Sequence, residues 1–185
     1  MYGDRIVLAR EALILFLQSL PAGSKFNVCS YGSRYELLFP QDRSVDYNDE
    51  NLEHAIAMVS NFNSDFGGTQ IYQPLSYLLK KERPAECATS HIYLLTDGAV
   101  FDIKRIVDLV ASKSSFNQRV HTFGVGHGAS EELIMQVASR GFGQYNFIYN
   151  EEEIEERVVT ALGKSRLSYK VLQKAILFDE SGAEV

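Results

Sequence analysis

Apolar residues follow two different patterns along this chain. In one pattern they recur every three to four residues, which is typical of helices with one buried face. In the other they form short runs rich in β-branched and aromatic residues, which is typical of buried strands. The helical pattern covers residues 4–20, 52–60, 71–81, 102–115, 130–141 and 151–165. The strand pattern covers residues 25–31, 35–39, 92–96, 119–123 and 144–149.

Strands and helices alternate at the spacing of βαβ units, which favours parallel strands joined by crossover helices. Residues 25–31 and 35–39 are too close for a crossover helix, so we expect an antiparallel pair with the second strand at a sheet edge. Residues 41–51 are polar and predict a loop. The sequence therefore predicts an α/β fold, a doubly wound and mostly parallel sheet with helices on both faces.

The length of 185 residues and the hydrophobic fraction of 45% are sufficient for one domain with a sizeable core. We assign this domain to residues 1–166 and interpret residues 167–185 as a tail. Within the tail, residues 169–178 have the mixed apolar content of a strand that begins a following β element. The organisation predicted is therefore one compact domain and a short C-terminal extension.

The formal net charge of −6 argues against binding to nucleic acid or to an anionic membrane, since both require a basic surface. Cys29 and Cys87 lack the spacing of a metal or redox motif, so we interpret them as free thiols in a reducing compartment, with one long-range disulfide as the alternative. These features predict a cytoplasmic or intracellular protein. Secretion stays open as an alternative, because Met1 does not have to be the natural start.

Two loops bring oxygen-bearing side chains to candidate site positions. The strand at residues 92–96 runs directly into Asp97 and Gly98, which places a carboxylate at the end of a parallel strand, where α/β sheets bind ligands. The glycine-containing loop upstream ends in Thr69. Capping of the next turn is the alternative role for Asp97.

Three motifs together resemble the von Willebrand factor A (VWA) domain. They are Asp-Phe-Gly-Gly-Thr at residues 65–69, Leu-Leu-Thr-Asp-Gly at residues 94–98 and Phe-Gly-Val-Gly-His-Gly-Ala-Ser at residues 123–130. The likeness covers residues 3–165. It is greatest to the branch found in inter-alpha-trypsin inhibitor heavy chains and in vault poly(ADP-ribose) polymerase and its relatives.

The resemblance implies a metal-ion-dependent adhesion site at one end of the sheet. In the family a divalent cation, usually magnesium, is held by an Asp-x-Ser-x-Ser loop, a threonine and an aspartate, and a partner's carboxylate completes its shell. Such hard-oxygen coordination with exchangeable waters suits Mg²⁺. By match of motif, Thr69 stands at the threonine position and Asp97 at the aspartate position.

The sequence departs from the family pattern at its beginning. The family's central first strand and its Asp-x-Ser-x-Ser loop have no counterpart, and Met1 falls where a methionine after that loop would stand. We therefore expect an N-terminally truncated domain that lacks the central first strand. Thr69 and Asp97 alone supply two oxygens, so Mg²⁺ binding by this chain alone should be weak or absent.

A missing central strand has a structural consequence. We expect residues 25–31 and 92–96 to flank its place, with residues 119–123 and then 144–149 continuing outward. An open gap would leave two rows of backbone donors and acceptors exposed. The chain alone is therefore expected to fold poorly, to close the gap by pairing the two flanking strands directly, or to borrow a strand from a partner.

Enzymatic alternatives have weaker support in the sequence. The glycine run at residues 124–128 lacks the G-x-G-x-x-G spacing of a dinucleotide site. Asp97, His121 and His127 come without a G-x-S-x-G nucleophile elbow, and His121 in a buried strand is interpreted as a core residue. We predict a non-enzymatic module that binds an acidic group of a protein partner through a cation, with a metal-independent scaffold as the alternative.

Overall fold

The structure is a computed structural model that describes residues 4–39, 43–62, 67–82, 84–98, 100 and 102–165. The strands are β1 (Lys25–Phe26), β2 (Cys29–Tyr31), β3 (Tyr35–Leu37), β4 (Val45–Asp46), β5 (Ser90–Thr96), β6 (Gln118–Val125) and β7 (Phe142–Ile148). The helices are α1 (Asp4–Gln18), α2 (Asp49–Ser60), α3 (Tyr72–Lys80), α4 (Ile103–Lys113), α5 (Glu131–Arg140) and α6 (Ile154–Ser165). The tail predicted at residues 167–185, with its strand-like segment at 169–178, lies outside the described residues.

The main sheet consists of three parallel strands in the order β5-β6-β7. Alternate side chains of β6 face opposite layers: Val120 packs with α4 and α5, whereas Phe123 and Val125 pack with α1 and α6. The central strand is therefore covered on both faces, and every residue of β6 after Gln118 is buried. The predicted α/β class, with helices on both faces and this order of the three strands, is confirmed.

Side-chain caps fix several of the helix starts. Ser130 Oγ accepts a hydrogen bond from the N–H of Leu133, as expected for the N-cap of α5. Asn150 and Glu153 cap the following turn: Asn150 Oδ1 accepts from the Glu153 N–H, and Glu153 Oε2 accepts from the N–H of Tyr149. A 3₁₀ turn at Glu151–Glu153 lies between this cap and α6.

The prediction of one continuous strand at residues 25–31 is wrong. This segment forms β1, which pairs antiparallel with β4, and β2, which pairs antiparallel with β3. The Asn27 side chain causes the interruption. Its amide nitrogen donates to the carbonyls of Phe39 and Arg43, and its oxygen accepts from the N–H groups of Val28 and Phe39. One side chain thus replaces the backbone ladder at this point.

The prediction of a loop at residues 41–51 is also partly wrong. It contains β4, and α2 begins at Asp49, after the N-cap Asn48. Because β4 is only two residues long and has one half-exposed and one exposed side chain, its pattern lacks the apolar run that marks a buried strand. Its partner β1 and the ion pair between Lys25 and Asp46, at 2.6 Å, stabilise it instead.

Direct pairing of residues 25–31 with residues 92–96, one of the three expected outcomes, is not observed in the described part of the chain. There β1 and β2 pair with other short strands, and the ladder of β5 is formed with β6. Tyr31 accounts for the separation, because its side chain extends between β2 and β5 and its hydroxyl donates to the Leu95 carbonyl at 2.7 Å. The two flanking segments are therefore joined by a side chain rather than by a ladder.

Both cysteines are free thiols, so the disulfide alternative is not realised. Burial raises the pKa of the Cys29 thiol to about 11, which keeps it protonated and weakly nucleophilic. Among the described residues, no helix has both the length and the apolar character needed to cross a bilayer.

We expect the substitution Asn27→Ala to lower the free energy of unfolding by about 1–3 kcal/mol, because the Phe39 N–H loses a part-buried partner. Asn51→Ala is the matched control: the Asn51 amide donates to the Asp46 carbonyl at an exposed position, and its loss should cost less than about 1 kcal/mol. Urea unfolding of the parent and both variants measures the difference. Equal losses would contradict the role assigned to Asn27.

Candidate functional site at the carboxyl end of the sheet

Thr69 and Asp97 lie next to each other at the carboxyl end of β5. Asp97 follows the last residue of the strand and is 7% exposed. Thr69 precedes α3, and its Oγ1 lies 3.3 Å from the position that a Cβ atom would occupy on Gly98. The loop before α3 is held there by the N–H of Gln70, which donates to the Gly32 carbonyl at 3.0 Å.

A third side chain, Arg5, reaches the same place from the first turn of α1. Its Nη1 lies 3.3 Å from Asp97 Oδ2, and the Arg5 side chain is 44% exposed whereas that of Asp97 is 10% exposed. Sequence reasoning missed Arg5. One signal was available, because a cation in the first turn opposes the helix dipole and is expected there only with an anionic partner.

The glycine run after β6 provides the surface on which Arg5 lies. Gly126 has a φ of 73°, and a Cβ atom there would come within 3.0 Å of the Arg5 methylenes. A Cβ atom on Gly128 would lie 3.0 Å from Arg5 Nη1 and 3.1 Å from the Asp97 carbonyl. The two glycines are thus required by the close approach of Arg5 and Asp97. This packing explains the glycine run at residues 124–128, and no bound nucleotide is needed to account for it.

These residues do not by themselves form a complete divalent-cation site. Thr69 and Asp97 offer a hydroxyl and a carboxylate, and one carboxylate oxygen already faces the Arg5 guanidinium. Within the described ranges, no cluster of three or more His, Cys, Asp or Glu side chains is placed to hold a metal ion. Because Mg²⁺ requires near-octahedral oxygen coordination, the metal role of Thr69 and Asp97 stays a prediction.

His121 belongs to a buried pair and not to a catalytic triad. Its Nε2 lies 3.1 Å from His91 Nδ1, and its Nδ1 accepts from the N–H of Gln144 at 3.2 Å. Since Nδ1 is the acceptor, the proton of the neutral ring is on Nε2 and is donated to His91. The remaining His91 nitrogen then donates to Thr89 Oγ1, at 3.1 Å. The interpretation of His121 as a satisfied core residue agrees with this network.

The surroundings of the pair favour its neutral state. Burial, the neighbouring His91 and the Arg119 guanidinium lower the pKa of His121 to about 3. Burial and Arg119 lower the pKa of His91 to about 4. The Tyr93 ring stacks on His121 with centroids 4.9 Å apart. His127 is stacked on Tyr149, with ring centroids 4.8 Å apart, and is not part of the His91–His121 pair.

Comparison with known proteins identifies relatives along most of the chain. The family model for the von Willebrand factor type A domain matches residues 2–147. A von Willebrand factor A domain-containing protein of Dictyostelium discoideum is 35% identical over 162 residues, covering 88% of this chain and 18% of the relative. Von Willebrand factor A domain-containing protein 5A of Rattus norvegicus is 36% identical over 165 residues, covering 89% of this chain and 19% of the relative. The chain thus spans about a fifth of these relatives.

Solved structures share the fold at low sequence identity. A von Willebrand factor type A structure from Catenulispora acidiphila has a TM-score of 0.72 at 20% identity, covering 86% of this chain and 38% of its own. Mussel byssus proximal thread matrix protein 1, described with a zinc-occupied MIDAS motif, has a TM-score of 0.63 at 14% identity. The match covers 86% of this chain and 42% of the mussel protein's chain. Manganese-loaded Plasmodium vivax TRAP protein has a TM-score of 0.61 at 17% identity, covering 83% and 65%.

The histidine pair predicts a loss of stability in acid. Below pH 6.5 the unfolded chain binds protons at His121 that the folded chain does not bind until about pH 3, so stability falls as the pH falls. Between pH 6.5 and 5 we expect His121 to account for a loss of about 2 kcal/mol, and the more exposed His91 for less. Urea unfolding at pH 6.5 and at pH 5 measures this loss of stability.

The variant His121→Gln isolates this contribution from that of the carboxylates. Its amide can still accept from Gln144 and donate to His91, but it does not titrate. We expect the loss between pH 6.5 and 5 to shrink in the variant. The same loss in parent and variant would show that His121 is protonated equally in the folded and unfolded states.

Proposed function

This chain belongs to the von Willebrand factor type A domain family, and from this premise we propose that it is a protein-interaction module that binds an acidic group of a partner protein. The binding place is the carboxyl end of β5, where Arg5, Asp97 and Thr69 meet. The proposed mode is binding without catalysis. The proposed location is intracellular, which the two free thiols support.

The half-exposed ion pair between Arg5 and Asp97 carries this proposal. A guanidinium presents five N–H donors in a planar fork that fits a carboxylate. The ion pair with Asp97 uses one of the terminal nitrogens of Arg5, and the glycines of the loop after β6 hold the side chain in place. Arg5 is therefore a pre-oriented cation that can receive a second carboxylate directly, without a metal. This is the metal-independent form of the module.

The second candidate is the cation-dependent form, which the zinc-occupied and manganese-loaded structural relatives favour. Thr69 and Asp97 would hold the ion, which would polarise and bind the partner's carboxylate. Further oxygen ligands would have to come from outside the described residues, and Arg5 would have to release Asp97. The net charge of −6 gives no support to nucleic acid or an anionic membrane as the partner in either form.

A hexaglutamate peptide titrated into the 185-residue chain separates the two forms. One titration is done in the presence of EDTA and the other in the presence of Mg²⁺. In the metal-independent form, binding persists in EDTA and Arg5→Ala weakens it at least about tenfold, the value of one charge-assisted hydrogen-bonded pair. Arg10→Ala is the matched control, because Arg10 lies on the same helix and bonds the Ser60 carbonyl instead. Calorimetry gives the affinities, and thermal unfolding confirms that each variant is folded.

In the cation-dependent form the outcome is reversed. EDTA abolishes binding, Asp97→Ala removes the heat of Mg²⁺ titration, and Arg5→Ala strengthens Mg²⁺ binding because the competing cation is gone. No binding of the acidic peptide under any of these conditions would overturn the proposed function in both forms.

A further inference from the structure

The outermost strand of the parallel sheet, β7, carries a row of exposed aromatic rings. Among the described residues β7 pairs with β6 alone. Seven large hydrophobic side chains are exposed in that part of the chain, and the four aromatic ones, which are between 38% and 49% exposed, lie in β7 or next to it. They are Phe116, Phe142, Tyr145 and Tyr149. Exposed rings concentrated at one sheet edge are typical of an interaction surface.

The strand register places the rings of β7 on one face of the sheet. Three aromatic residues of β7 stand opposite alternate residues of β6, which share a face. The pairs are Phe142 with Val120, Tyr145 with Thr122 and Phe147 with Gly124. Tyr149 follows two residues after Phe147, and their rings are parallel with centroids 6.0 Å apart. We call Phe142, Tyr145, Phe147 and Tyr149 the aromatic stripe.

Phe142 has a backbone conformation that suits glycine. Its φ is 54°, and no other described residue except glycine has a positive φ. The conformation belongs to a register shift that puts one extra residue between Phe142 and Tyr145 and so keeps both in the stripe. The strained ring gains little burial, because its neighbour Phe116, with centroids 4.7 Å apart, is itself 45% exposed. Packing therefore does not account for an aromatic residue here, which points to a role at the surface.

The backbone of β7 is available for pairing on its outer side. The Ile148 carbonyl accepts from the Gly126 N–H, and the Gln144 N–H donates to the His121 ring, so alternate residues from 144 to 148 point to β6. The backbone groups of Tyr145 and Phe147 consequently point away from the sheet. Another strand can pair with them.

The charges around the aromatic stripe are negative at the carboxyl end of β7. Four exposed glutamates lie there, and none of them forms an ion pair with a described residue. They are Glu131, Glu132, Glu151 and Glu152. The last two follow Tyr149 in the 3₁₀ turn, and the first two begin α5, which packs against β7. Because β7 has no charged side chain and the chain has a net charge of −6, a basic partner complements this edge.

We propose that the outer edge of β7 binds an extended basic segment of a partner protein as an added β-strand. The backbone of the segment pairs with Tyr145 and Phe147. Its lysine or arginine side chains, at every second position, lie over the rings of the aromatic stripe and near the glutamates. This spacing follows because directly opposite residues of neighbouring strands have Cβ atoms only about 4.5–5.5 Å apart. The positions that donate to β7 exclude proline, which has no N–H.

The tail segment at residues 169–178 is a poor fit for this edge. A parallel strand there would reverse the crossover hand of β5, β6 and β7, because α6 packs on the opposite face of the sheet from α4 and α5. An antiparallel strand would have to begin at the carboxyl end of β7, where α6 starts and from which it runs back along the sheet. Residues 166–168 span at most about 11 Å, whereas β7 is about 23 Å long.

A second copy of this chain also lacks the required chemistry. Its β7 could pair with β7 through the backbone, but this strand would bring no cation to the rings or to the glutamates. The charges therefore favour a separate basic segment.

A synthetic peptide tests the proposal on the 185-residue chain. The probe is Thr-Arg-Val-Arg-Val-Arg-Thr with blocked ends, and the control is the same peptide with its three central backbone nitrogens methylated. The control keeps the side chains and the charge but loses the donors. At saturation we expect the probe to slow amide exchange at Tyr145 or Phe147 at least about tenfold. The methylated peptide should bind at least about tenfold more weakly and give no such protection.

Two substitutions test the aromatic stripe, with calorimetry as the measure of probe affinity. Tyr145→Leu should bind the probe about 2- to 5-fold more weakly, the value of one exposed cation–π contact. Tyr35→Leu is the matched control, because Tyr35 lies in β3 of a separate sheet, and its affinity should equal that of the parent. Equal affinity of Tyr145→Leu and the parent would contradict the contact.

Phe142→Gly separates a surface role from a folding role. Glycine adopts the native φ without strain, so the unfolding midpoint should not fall, whereas probe binding should weaken at least about twofold because one ring of the stripe is lost. Thermal unfolding and calorimetry measure the two effects. A lower midpoint with unchanged probe affinity would mean that Phe142 is kept for folding and would remove it from the binding surface.

A pair of double variants tests the charge. Glu151→Gln with Glu152→Gln should weaken probe binding at least about threefold, since two favourable charges are removed beside the stripe. Glu50→Gln with Glu53→Gln is the matched control, because it changes the net charge equally at exposed positions of α2. Equal weakening by both double variants would mean attraction to the overall negative charge and would overturn the proposed surface.

Other outcomes overturn the proposal outright. Equal binding of the probe and the methylated peptide would exclude an added strand. Protection of the Tyr145 and Phe147 amides without peptide would mean another occupant: the tail if the protection disappears on truncation after Ser165, or a second copy if it rises with protein concentration. Failure here is distinct from failure of the proposed function, because Arg5→Ala should change the affinity for hexaglutamate and leave that for the basic probe unchanged.

Discussion

The one-sided pairing of β5 is the constraint on which the rest of the structure depends. Its inner edge forms seven register pairs with β6, and this ladder holds the parallel sheet together. Its outer edge faces a groove that α1 and α3 cover but do not fill. Residues 25–31 do not extend this ladder, because β1 and β2 use their backbone groups in two short antiparallel pairs.

Secondary structure was predicted most accurately where the periodic pattern was long and the contacts that fix the element were local. Residues 119–123, for example, lie within β6, where Val120 and Phe123 are fully buried. The prediction failed at residues 25–31, because the Asn27 side chain forms hydrogen bonds with backbone groups up to 16 residues away in the sequence. These long-range contacts interrupt the strand. The two-residue β4 was too short to produce any pattern.

The candidate site likewise contains residues that the sequence could predict and contacts that it could not. Asp97 and Thr69 could be selected because each follows a recognisable motif, and the structure places them at one end of the sheet. Arg5 could not be paired with Asp97, because that contact depends on how α1 lies over the loop after β6, 120 residues further along the chain. The histidine pair likewise depends on the β5–β6 register, in which Tyr93 lies opposite His121 and His91 lies diagonal to it.

The groove and the candidate site are connected through β5. The groove borders the outer edge of β5, and Asp97 and Thr69 lie at the carboxyl end of the same strand. The charge of the Asp97 carboxylate is balanced there by the Arg5 guanidinium. An arginine is compatible with this position because its charge does not require the four or more additional oxygens that a divalent cation would need. A surface with Arg5 at its centre therefore differs in kind from a site built of oxygen ligands, because the arginine itself supplies the positive charge.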